Sequence, residues 1–131
     1  MNFGHVPAPF SAGLWRDVVR LLAKAMERGG NDWNDLADSL GSGLSQLWIT
    51  QTDKPINATV SRMDGDTVEI WLCGGNVLAG ALPFLETILE AARMAGATNA
   101  RIIGRKGWVR VLRPYGWRPD GDELVKDLVD G

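Results

Sequence analysis

The chain has 131 residues, 45% of them apolar, with one histidine and one cysteine. That is one domain's worth of sequence with enough apolar content for its own core, and it excludes an internal disulfide or a Cys/His zinc site. Fourteen basic against sixteen acidic residues give a formal charge of −2, so no overall field draws the chain to nucleic acid or membrane. No apolar run reaches the roughly 18 residues of a membrane helix, and MNFGHVPAPF lacks the basic start and apolar block of a secretion signal. The expected location is the cytoplasm.

Residues 1–10, rich in Gly and Pro, read as an arm, and residues 11–131 as one domain. From Ser11 to Arg28, Leu14, Val18, Leu22, Ala25 and Met26 share one face of a helix that Gly29-Gly30 ends. Asp32 caps a second helix reaching Leu40, with Trp33, Leu36 and Leu40 as its apolar stripe. After Gly43 the period shortens to that of a strand. Ser45–Thr52, Pro55–Met63 and Thr67–Cys73 form a meander, with Asp64-Gly65 as a two-residue hairpin turn. In the third strand, alternation places Val68, Ile70 and Leu72 on one face and Thr67, Glu69, Trp71 and Cys73 on the other.

The stretch from Gly74 to Leu82 reads as a loop, and Pro83 opens a helix running to Ala95. A short strand at Thr98–Ile103, a short helix at Gly107–Arg113 and a last strand at Glu123–Val129 complete the chain. The predicted order is α-α-β-β-β-α-β-α-β, an α/β architecture with a mixed sheet carrying helices on its faces.

That order, with Gly116-Trp117 as a corner after the short helix, resembles the GNAT acetyltransferase fold. The span IIGRKGWVRVLRPYGWR also resembles part of small phage- and prophage-encoded GNAT-like proteins from head and tail gene clusters. The resemblance implies an acetyl-CoA diphosphate site in the Gly74–Leu82 stretch: Gly74, Gly75, Asn76, Ala79, Gly80 and Ala81. Within it, Ala79 stands where the family has a glycine and Asn76 where it has a long polar residue. The resemblance further implies Glu69 as base. The family's tyrosine acid falls on Leu112 and its asparagine on Arg105, which leaves Tyr115 as the nearby hydroxyl. Read by itself, Glu69 is a solvated carboxylate on an exposed strand face.

Arg101, Arg105, Lys106, Arg110, Arg113 and Arg118 are six cations in eighteen residues without an acid. They form either a patch for phosphate, nucleic acid or an acidic protein surface, or a cluster that the acidic tail neutralises by folding back as a strand. Among the six tryptophans, Trp48 and Trp71 are those expected to face a neighbour. These residues lead to two expectations. The first is a non-catalytic module without cofactor or metal, self-associating or bound to phage proteins in the host cytoplasm or virion. The second is an N-acetyltransferase using acetyl-CoA.

Overall fold

The computed structural model describes residues 1–103 and 106–129, the side chains of Ala79 and Lys106 excepted. Helix α1 (Ala12–Gly29) starts where Ser11 Oγ accepts the Leu14 amide at 3.1 Å, and Gly30 closes it by donating to the Glu27 carbonyl. Val18, Leu22 and Met26, four residues apart, form its buried stripe. Helix α2 (Trp33–Gly41) is capped by Asp32, whose Oδ1 accepts the Asn34 amide at 2.7 Å. Both starts match the sequence expectation.

The meander follows as β2 (Ser45–Gln51), β3 (Pro55–Asp64) and β4 (Thr67–Gly75). Its second turn is Gly65-Asp66, one residue later than expected. Only Gly65 has positive φ, 64°, because a type II′ turn asks this of its first central residue alone.

Two strands escaped the sequence reading. The supposed arm contains β1 (Asn2–Val6), which pairs antiparallel with β2 along its whole length. Beyond the Gly116-Trp117 corner, β6 (Arg118–Asp120) forms a hairpin with β7 (Glu123–Asp127). Both are short and contain few apolar residues, so alternation gave them no signal. The loop after β4 also contains one helical turn, α3 (Val77–Gly80). Pro83 lies in a 3-10 turn, Leu82–Phe84, that leads into α4 (Leu85–Met94). Strand β5 (Asn99–Ile103) and helix α5 (Lys106–Leu112) complete the elements.

The sheet order is β1-β2-β3-β4-β5-β7-β6, and β4 and β5 pair in parallel. Helices α1 and α2 cover one face through Val18, Leu22, Leu36, Leu47, Val60 and Leu72. Helix α4 covers the other through Val68, Ile70, Ile88, Leu89, Ile102 and Leu112. Leu72 is therefore on the opposite face from Val68 and Ile70, against the simple alternation. The β3–β4 register slips between Val60 and Ser61, and the bulge inverts every β4 side chain beyond it.

Candidate functional site

The pairing of β4 with β5 ends at Ile70 opposite Ile102. Strand β5 stops one residue later, whereas β4 continues to Gly75, so the two part and open a cleft. On the α1 side this is a cavity of about 430 Å³ whose lining includes Arg28, Asn31, Arg62, Glu69, Trp71 and Trp108. On the α4 side the mouth narrows to about 10 Å³, the room of a single water. Ile70, Cys73, Ile102 and Trp108 line both sides and stand between them.

Glu69 is not on a solvated face. It is 2% exposed, and its Oε2 accepts Arg62 Nε at 2.6 Å and lies 3.6 Å from Arg101 Nη2. Register explains the grip, since Arg62 is opposite Glu69 on β3 and Arg101 opposite it on β5. Arg101 also donates to Asp64 at 2.7 Å. That bond chiefly raises the Arg101 guanidinium above its ordinary value, against the effect of burial, and the charge of Glu69 adds to it. The Arg62 guanidinium lies over the Trp71 ring with Cζ 4.0 Å from its centroid. Arg62 was missed by the sequence reading, because a turn at Asp64-Gly65 pairs it with Thr67, and only the observed turn at Gly65-Asp66 sets it opposite Glu69.

The residues implied as a diphosphate cradle are used by the fold itself. A methyl group on Gly74 would overlap the Leu21 carbonyl of α1, and one on Gly75 the Ile56 carbonyl of β3. A methyl on Gly80 would sit 2.7 Å from Asn57 Cβ. The Gly80 carbonyl accepts from Thr50 Oγ1, and the Asn76 carbonyl from Asn57 Nδ2 at 3.4 Å. The Asn76 amide donates to Ile56, Gly80 to Asn76 and Ala81 to Val77. Ala81 is buried, and α3 includes the backbone of Ala79.

The cationic run does not make one patch. Arg101 is committed to Asp64 and Glu69, and Arg118 lies 3.4 Å from Asp127 on β7. The tail thus folds back as a strand, as one of the two expectations had it, yet Arg110 and Arg113 remain exposed. Arg105 and the Lys106 side chain lie outside the described residues. Tyr115 is 52% exposed, outside the residues lining the cleft, and Leu112 is buried in the core. Trp48, expected to face a neighbour, is 9% exposed, stacks on Phe3 and donates from Nε1 to Ser61 Oγ at 2.9 Å. Trp71 is half-buried in the cleft. No group of His, Cys, Asp and Glu among the described residues is arranged to hold a metal, and no helix among them is long and apolar enough to cross a membrane.

No family model matches the sequence, and no curated protein matches it. Solved structures do. A GNAT family acetyltransferase from Brucella melitensis in complex with acetyl-CoA superposes with a TM-score of 0.67 at 12% identity, over 98% of this chain and 90% of that one. An acetyltransferase from Streptococcus agalactiae gives 0.66 at 14% identity, over 96% and 98%. A Bacillus subtilis acetyltransferase in complex with CoA gives 0.63 at 12% identity, over 97% and 98%. The seven-stranded mixed sheet, parted between β4 and β5, has the fold of the GNAT acetyltransferases.

Proposed function

We propose that this chain uses the acetyltransferase fold for recognition rather than for acetyl transfer, as a non-catalytic protein-interaction module. The observation that carries the reading is the packing of the β4–α4 connection. A coenzyme A diphosphate needs several amide N–H groups aimed outward, or cationic side chains, to replace its hydration. Here the amides of Asn76, Gly80 and Ala81 donate to the protein's own carbonyls, Pro83 has none, and residues 74–92 include no Lys or Arg. The glycines that would admit a ligand admit α1 and β3 instead. The amides of Asn76, Gly80 and Ala81 are therefore not available to a diphosphate, and no Lys or Arg of the connection replaces them. The carboxylate in the cleft, Glu69, has its Oε2 held by Arg62 and Arg101, so a substrate amine would compete with two guanidinium groups for that oxygen. The resemblance of residues 102–118 to small phage-encoded proteins supplies the setting we propose, a virion or its assembly, with other particle proteins or further copies of the chain as partners.

A second reading, an N-acetyltransferase using acetyl-CoA, is favoured by the whole-length likeness to acetyltransferases solved with that cofactor and by the open α1-side cleft. It requires amides of the connection other than those of Asn76, Gly80 and Ala81 to hold the diphosphate, and a base other than the engaged Glu69 Oε2. Calorimetry with acetyl-CoA separates the two. The module reading expects no saturable heat. A micromolar Kd, with slowed amide exchange across residues 74–82, overturns it in favour of the enzyme.

A further inference from the structure

We propose that the α1-side mouth of the cleft binds a carboxylate ligand, with Arg62 as the residue that grips it. The inference rests on the cleft being a recognition site rather than the acceptor pocket of a transferase.

Two contacts fix the Arg62 guanidinium: Nε donates to Glu69 at 2.6 Å, and the plane lies over Trp71 at 4.0 Å. Its Nη groups have no acceptor among the described residues, and the side chain remains 38% exposed where it lines the cavity. An oriented guanidinium with its outer edge open is the partner that two carboxylate oxygens match, and holding it in place beforehand lowers the entropic cost of binding. The surrounding charge has the same sign. Among the described residues lining the cavity, Arg28 and Arg62 stand with Glu69 as the one acid, and Glu69 is already shared between Arg62 and Arg101. Leu72, Ile103 and Trp108 supply apolar wall for the ligand's body. A volume of about 430 Å³ is within the range of small-ligand sites and suits a ring carrying a carboxylate. An ammonium ligand would meet two guanidinium groups instead.

The test titrates the full chain with benzoate, benzamide and benzylamine, following the indole N–H signals of Trp71 and Trp108 and the Arg62 Nε–H signal by NMR. Benzoate is expected to shift all three saturably, with the amide and the amine about tenfold weaker or worse. Arg62→Lys keeps a cation beside Glu69 but lacks the planar edge, and is expected to weaken benzoate about tenfold. Arg28→Gln, at an exposed position, tests the same charge without risk to the fold and should weaken benzoate severalfold. N-acetylphenylalanine binding more tightly than benzoate identifies the carboxylate as a chain terminus, and the reverse order identifies a free acid. Benzamide binding as tightly as benzoate, absence of benzoate binding, or unchanged affinity in both variants overturns the proposal. Acetyl-CoA titrated in parallel keeps the two failures apart. Its saturable binding sinks the non-catalytic reading, whereas benzoate failing while acetyl-CoA also fails sinks the carboxylate site alone.

Discussion

At Gly74, β4 lies so close beneath α1 that a side chain of any size would occupy the space of the Leu21 carbonyl oxygen. The obstacle is backbone, which cannot swing aside as a flexible side chain would. Gly74→Ala is therefore expected to destabilise the fold by about 3 kcal/mol, at the upper end of overpacking costs, as a lowered midpoint in urea unfolding. Were Gly74 instead kept small to admit a ligand, the same change would leave stability intact. Glu69 makes a related point about single residues. On a strand read alone it is a polar residue on a polar face. Two neighbouring strands each place an arginine against it, so it is buried and held in an Arg-Glu-Arg arrangement. Such an arrangement contributes orientation more dependably than stability, because desolvating the charges offsets much of their attraction.

Among the elements, β1 is held to the sheet by aromatic packing as well as by its pairing with β2. Its Phe3 ring stacks between Trp48 and Phe84, with centroids 5.7 and 4.7 Å away, and so ties the first strand to β2 and to the turn before α4. Phe3 is half-buried, so Phe3→Ala is expected to cost about 2 kcal/mol, less than a fully buried Phe→Ala. The change should also alter the Trp48 emission, which a disordered arm would leave untouched. The helices α1 and α2 were legible because their apolar spacing, the Gly29-Gly30 stop and the Asp32 cap are local. The bulge in β4 was not. It arises from the register with β3, and nothing in the string from Thr67 to Gly75 marks where two residues face one.

Over the whole molecule, the near-neutral charge conceals a sorted distribution, with the acidic tail lying as β7 beside β5 and meeting Arg118 while Arg110 and Arg113 remain exposed. A recognition module should have something to recognise. Sedimentation of the purified chain is expected to show self-association, or its isolation from the native source a stable complex containing it; a lone monomer in both settings counts against the module reading. The amino-acid sequence alone determined the meander, the helices on its faces and the mixed α/β class, because period, caps and turn residues act over a few positions. It also determined that the β4–α4 connection has no cation to offer an anion. Tertiary structure decided the rest: that residues 2–6 join the sheet, that Glu69 meets Arg101 thirty-two positions away, and that the glycines of the supposed cradle face α1 and β3. Those outcomes depend on pairing between distant segments, where burial and register, not local propensity, select the partner.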